Sequence, residues 1–378
     1  MDLETAKKAI DFIMNNHYEK LKYQIDKDEL GIPNVTFFGG EPTLLFDKII
    51  VPLVEYAEEK YPNEITFDMT TNGTLLDEKK LLFLKEHKIH ILLSIDGNEF
   101  VQNYNRPCKN GKPSFPLVEK NIPKILEYFP GTTFRSTINQ ETCGELFNSY
   151  LFAIEKGFNH IFFCPNAREA WSNENIVKLK LEIQKIFTYI TLSYMNGETP
   201  IQCSPIDTAF KKVLDHDLQV YYNEYNELAP NRPPFRCGLG TTSVSISYDG
   251  KLFACQEQDS RDTNDYFYIG NIYDGIDEEK HLKILEDYSK SIMIECEDKS
   301  ICENCKMRSS CLDDFCPSVS HDIFDDFFIK PKIDCLLFQY LIDGAIATMN
   351  ILVNYEKSDL FAKYLDNLYR FYEKKEEC

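Results

Sequence analysis

Four cysteines crowd into the stretch "CENCKMRSSCLDDFC", at Cys302, Cys305, Cys311 and Cys316, and Cys237, Cys255, Cys296 and Cys335 surround them. Closely spaced thiolates suit a soft metal centre. Spacing alone does not separate structural zinc from an iron–sulfur cluster. A second constellation lies earlier, in "VTFFGGEPTLL", where an apolar strand runs into Gly39, Gly40, Glu41 and Pro42. Glycines there let backbone approach a ligand closely and leave carbonyls and a carboxylate able to grip a cationic amine. "TTNGTLL" adds Thr71 and Asn72, and "SIDG" adds Ser94 and Asp96. Taken singly, each is also an ordinary strand-to-helix turn, with glycine supplying positive φ and Asp or Thr capping the next helix. Three in order, at successive strand ends, are less easily explained that way.

The elements that must carry these residues alternate between strand and helix patterns. Strands are expected at 35–38, 65–71, 89–95, 133–138 and 160–164, with helices such as "DEKKLLFLKEHK" at 77–88 between them. That alternation predicts an α/β domain with a parallel sheet, whose ligands collect at the C-terminal strand ends. One helix, over 3–22, precedes the first strand. The expected organisation is an α/β partial barrel over 1–195, a bridge over 196–235 with a helix carrying "YYNEYNEL", a cysteine-rich domain over 236–335 and a helical extension over 336–378.

With 43% apolar residues among 378, the chain can fill real cores. A formal charge of -20 disfavours nucleic acid, because no basic stripe is present to release phosphate counterions. No continuous apolar run approaches the roughly eighteen residues of a membrane span, and no signal peptide leads the chain, so a cytoplasmic protein without a membrane partner is expected. Thirteen cysteines in such a chain point to metal ligation rather than disulfides. Cys108, Cys143, Cys164 and Cys203 fit no ligand spacing and read as small hydrophobes.

Jointly, "FFGGEP", "TTNG", "SIDG" and "TTFRSTIN" resemble the radical S-adenosylmethionine (radical SAM) enzymes, in the branch with a C-terminal SPASM domain. The resemblance implies a TIM-like (β/α)6 barrel in which Gly39, Gly40, Glu41 and Pro42 hold the amino group of S-adenosylmethionine, so that the acid faces an ammonium. It also sets Ser94 and Arg135 at positions that contact the cofactor's carboxylate and ribose side. Arginine suits a carboxylate through its planar fork, although it also serves as a surface strand residue. "MDLETAKKAIDFI" is similar to the helix that follows the family's CxxxCxxC loop, whose thiolates hold the catalytic [4Fe–4S] cluster. No CxxxCxxC occurs in these 378 residues, and the first barrel strand is also missing. A start at an internal methionine is the favoured expectation, since a barrel lacking a strand leaves unpaired edges; a natural relic is the alternative.

"RCGLGTTSVSISYDGKLFACQE" and "YIGNIYDG" are similar to the SPASM opening, with "YDGK" as a hairpin turn. The resemblance implies up to two auxiliary [4Fe–4S] clusters. One would be held by Cys302, Cys305, Cys311 and Cys335, the other by Cys237, Cys255 and Cys316 with Cys296 as a candidate fourth ligand. The reaction implied is hydrogen abstraction by a 5′-deoxyadenosyl radical, with a peptide or protein substrate and an electron donor such as a flavodoxin or ferredoxin. Sulfatase maturases of this branch place a basic aspartate directly after the hairpin cysteine. Here Gln256 follows Cys255, and an amide cannot accept that proton. Maturation of a ribosomally made peptide, in some relatives by thioether formation, is therefore expected; Glu257, the next acid along, is the candidate catalytic residue that would substitute for the missing base. Sulfatase maturation and a non-catalytic cluster- or leader-peptide-binding role are the alternatives.

Overall fold

The computed structural model describes residues 1–22, 31–214, 237–261, 265–290, 294–303, 305 and 315–354. The helix expected on "YYNEYNEL", and Cys311, lie outside them. Strands β1 (Asn34–Phe37), β2 (Thr66–Thr71), β3 (His90–Ser94), β4 (Thr133–Ile138), β5 (His160–Pro165) and β6 (Gln202–Cys203) form one sheet in chain order. The registers from β3 to β6 are parallel. The helices are α1 (Leu3–Lys22), α2 (Val51–Lys60), α3 (Glu78–Glu86), α4 (Glu99–Asn105), α5 (Phe115–Glu119), α6 (Ile122–Tyr128), α7 (Leu146–Glu155), α8 (Asn173–Met195) and α9 (Ser204–Leu214). Later come α10 (Glu278–Ser289), α11 (Lys299–Glu303), α12 (Pro317–Phe324) and α13 (Lys332–Asn354).

Local chemistry explains the alternation. Along β4, Phe134, Ser136 and Ile138 are buried while Thr133, Arg135 and Thr137 are part-exposed, the period of two that a strand imposes. Asp77 caps α3 by accepting from Lys80 N, and Asn98 caps α4 by accepting from Val101 N. The expected strands lie within a residue or two of those observed. The sheet, however, continues past residue 195 into β6, a two-residue strand too short for any pattern to reveal.

Chain contacts divide the protein into two compact units. One comprises 38–41, 69–228 and 332–378. In it α13 starts at Lys332, four residues earlier than expected, and packs on α8 with Thr191 Oγ1 2.9 Å from Thr348 Oγ1. By length and composition alone α13 passes for a membrane span, although its apolar residues are interrupted rather than continuous, as the sequence shows. Leu341, Ala345, Thr348 and Leu352 are buried, the stripe of a core helix.

The other unit comprises 1–37, 42–68 and 229–331. Asp11 on α1 gathers Tyr56 Oη at 2.8 Å, Lys60 Nζ at 2.8 Å and Tyr61 Oη at 2.9 Å, which fixes α1 against α2. A four-stranded sheet in the order β10 (Gly275–Ile276), β9 (Tyr268–Asn271), β8 (Lys251–Phe253), β7 (Ser245–Ile246) contains the expected hairpin around "YDGK". Its core joins Leu252, Phe267, Ile269, Ile284 and Phe327, with Phe12 of α1 packed against it. A parallel pair, β11 (Glu295–Cys296) with β12 (Ile329–Lys330), completes the unit's sheets.

Candidate cofactor sites

Gly39 and Gly40 follow β1 with φ of +86° and +48°, values that L side chains rarely adopt. A Cβ on either would meet nothing within 4 Å, so conformation rather than crowding requires glycine, and space is left open beside this backbone. The Glu41 carboxylate turns to the end of β2, accepting from Thr71 Oγ1 at 2.8 Å and from Asn72 N at 2.9 Å. Thr71 Oγ1 in turn accepts from Gly73 N. These bonds give Glu41 a structural task beside the ammonium contact expected of it, and each of its oxygens retains further acceptor capacity.

Ser94 and Arg135 are register partners on β3 and β4. Ser94 is buried, and the Arg135 guanidinium lies 5.6 Å from the Phe162 ring centroid on β5. Asp96 has a different part. Only 3% exposed, it accepts from Arg106 Nε at 2.8 Å and from Thr137 N at 3.0 Å, while its carbonyl takes the Ser136 hydroxyl at 2.7 Å and its N–H meets Gln102 Oε1 at 2.9 Å. Asp96 thus clamps the β3 end to β4 and α4. Gln102 and Arg106 belong to this clamp and escaped the sequence reading, since nothing in "EFVQNYNR" marks its turn back toward the strand. Asn121, equally unmarked, donates to Gly73 O at 2.8 Å. The open space beside Gly39 and Gly40, with acceptors and Arg135 on neighbouring strands of the sheet, fits a zwitterionic nucleotide.

Of the cysteines, Cys237, Cys255 and Cys316 lie within electrostatic reach of one another. Burial first, and then the charge of the other two, pushes the Cys316 thiol up to about 12; burial raises Cys255 as well. Glu257 N donates to the Cys255 sulfur at 3.5 Å and a backbone hydrogen bond from Val319 reaches Cys316, while Tyr288 Oη lies 3.3 Å from the Cys237 sulfur, where either atom can donate. Donors aimed at sulfur are the surroundings of ligating thiolates, and a metal centre relieves the mutual opposition to ionisation. No three His, Cys, Asp or Glu among the described residues converge as ligands of a single metal ion. A cubane spreads its cysteines over separate irons, an arrangement that three cysteines within electrostatic reach of one another fit.

Cys296 N donates to Cys302 Sγ at 3.1 Å, and Cys305 N to Cys302 O at 3.2 Å, which keeps these three in one neighbourhood. Cys335 is buried in the first turn of α13, in the other unit. Gln256 and Glu257 are exposed, and the Glu257 charge raises both Cys255 and Cys316. Gln258, missed in the sequence, is buried and donates to both Asp322 oxygens at 2.9 Å. Cys143 and Cys203 are buried, and Cys108 and Cys164 part-exposed.

Residues 14–148 match the sequence profile of the Radical SAM superfamily. That stretch is a radical SAM domain match. The chain is 22% identical over 310 residues to a cysteine-type anaerobic sulfatase-maturating enzyme of Clostridium novyi, covering 78% of this chain and 77% of that one. It is 21% identical over 352 residues to the radical SAM cyclopropyl synthase TigE of Paramaledivibacter caminithermalis, covering 90% and 66%. Two other curated relatives match only over 115 and 147 residues, so that the chain spans 35% and 40% of their length. The solved structure of native anSMEcpe with bound AdoMet and Cp18Cys peptide superposes with a TM-score of 0.65 at 20% identity, over 94% of this chain and 92% of that one. The chain shares the fold of that structure, and a radical SAM domain of the kind matched over 14–148 implies S-adenosylmethionine and iron–sulfur as cofactors.

Proposed function

We propose that this chain supplies the S-adenosylmethionine seat and an auxiliary iron–sulfur domain of a radical SAM enzyme that modifies a peptide, with a flavodoxin- or ferredoxin-type electron donor in a reducing cytoplasm. The observation that carries the reading is the Glu41 carboxylate held by Thr71 Oγ1 and Asn72 N beside the left-handed Gly39 and Gly40, with Ser94 and Arg135 as register partners on β3 and β4 of the same sheet. Bound there with a catalytic cluster, S-adenosylmethionine would supply radical chemistry for hydrogen abstraction from an inert C–H bond.

The chain's own residues do the positioning. Left-handed glycines leave open the space beside the β1–α2 turn, and the Glu41 bonds fix that turn to β2. Arg135 offers a fork to a carboxylate. The Asp96 clamp keeps the β3 end from shifting. No cysteine precedes Cys108 and no CxxxCxxC occurs, so these residues fit the auxiliary centres and do not match a catalytic-cluster loop.

A peptide substrate is supported by the maturases and the cyclopropyl synthase among the relatives, and by a fold neighbour that binds a peptide. Gln256 beside Cys255 favours a substrate other than a sulfatase; the number of sulfatase-maturating relatives favours the second reading. Anaerobic reconstitution with iron and sulfide, followed by calorimetry with S-adenosylmethionine and then with a cysteine-containing sulfatase peptide, tests both. Cluster formation and nucleotide binding are expected. Tight capture of the sulfatase peptide would replace the first reading with the second.

A further inference from the structure

Tyr288, on α10, has no place in any motif of the sequence. It is 1% exposed, within the core that includes Leu239, Ile284 and Phe327, and its ring meets Phe327 edge-on at 5.5 Å. So held, its hydroxyl cannot turn away from Cys237, whose sulfur is 3.3 Å from Oη and whose carbonyl is 3.4 Å away. An ordinary phenol titrates at about 10, so at neutral pH the hydroxyl keeps its proton.

Between a free thiol and a phenol either atom can donate. A metal-bound cysteinyl sulfur carries no proton, so once Cys237 is a ligand the direction is fixed and Tyr288 donates. Hydrogen bonds to cluster sulfurs are among the protein's levers on reduction potential.

We propose that Tyr288 is a positioning residue of the auxiliary cluster, donating through its hydroxyl to the Cys237 sulfur and thereby favouring the cluster's reduced form. The inference rests on the reading of Cys237, Cys255 and Cys316 as cluster ligands. Reduction adds one electron, delivered by a low-potential one-electron carrier, with no covalent bond formed or broken. The added negative charge would fall partly on the cysteinyl sulfurs and make Cys237 Sγ a better acceptor for the Tyr288 hydroxyl, 3.3 Å away. The bond is therefore stronger in the reduced than in the oxidised form.

The test uses the full chain reconstituted under argon, in three forms: unsubstituted, Tyr288→Phe, and Tyr266→Phe. The last removes a hydroxyl that serves Asp287 rather than a cysteine. Iron and sulfide content and the midpoint from a potentiometric titration are measured for each. Tyr288→Phe is expected to keep its iron while the reduction equilibrium constant falls about tenfold, ~59 mV for one electron; Tyr266→Phe is expected to leave the midpoint unchanged. Full iron with an unchanged or raised midpoint in Tyr288→Phe overturns the proposal, as does an equal fall in Tyr266→Phe. If the unsubstituted protein takes up neither iron nor sulfide, the cluster reading beneath it fails instead.

Discussion

The Glu41 carboxylate accepts the Thr71 hydroxyl at 2.8 Å, thirty positions along the chain, and so locks the turn after β1 to the end of β2. Its other oxygen takes Asn72 N at 2.9 Å. Glu41→Gln keeps one acceptor but presents an amide donor to another donor. The loss of a hydrogen bond to a charged group is worth about 1.5–3 kcal/mol. Affinity for S-adenosylmethionine, measured by calorimetry, is expected to fall at least about tenfold while the protein remains folded by circular dichroism.

Gly40→Ala tests the same turn by another route. At φ of +48° an L side chain costs about 1–2 kcal/mol, although the space around it is open. The turn is expected to relax toward negative φ, so nucleotide affinity falls more than the melting temperature does. Equal affinity in the variant would mean that the left-handed backbone is not part of the seat.

Both of these residues were legible in the sequence, because glycine and a following acid at a strand end form a local pattern. β4 was legible to the residue for a similar reason: "TFRSTI" alternates and is β-branched. Arg106, Gln102 and Gln258 were not. Their roles depend on Asp96 and Asp322, and in each case a turn of chain, rather than a periodicity, creates the meeting. β6 was hidden by its length, whereas the helix α13 was expected and only its first turn, from Lys332, was missed. The cysteine spacing made ligation an expectation, whereas Tyr288 became visible only when α10 brought it against Cys237.

Arg106 holds a partner that is almost wholly buried, while its own side chain is 34% exposed. Arg106→Ala leaves the Asp96 carboxylate buried without that cation. The cost is expected at roughly 3 kcal/mol, the low end for broken buried pairs because water reaches the arginine. Arg106→Lys should recover part of it, since an ammonium carries the charge in a different geometry. Thermal melts of the three proteins provide the measurement.

His321 stacks on Tyr266 at 4.0 Å and packs against Phe267 and Phe327. Burial holds its imidazole below the ordinary range, against the pull of Asp325 at 3.5 Å and of Asp322, Asp287 and Asp326. A depressed folded pKa means that the unfolded chain binds the proton more readily. His321 therefore contributes stability above its unfolded pKa of about 6.5 that is lost as pH falls through the folded value. Urea unfolding between pH 7.5 and 5 is expected to show this decline, and His321→Phe to flatten it.

Gly344 lets α13 approach α8, because a Cβ there would lie 2.2 Å from Phe187 Cδ2. Gly344→Ala forces the ring or the helix to move and is expected to destabilise the protein by about 1–3 kcal/mol. Phe187→Leu in the same chain should restore part of the loss. Chemical denaturation of the single and double variants gives the coupling.

The central claim is that S-adenosylmethionine binds at the strand ends around Gly39–Glu41, and titrating it calorimetrically into the anaerobically reconstituted chain tests that claim most directly. Saturable binding at one site per chain, weakened by Glu41→Gln, is the predicted result. A flat titration, or binding indifferent to that substitution, would contradict it.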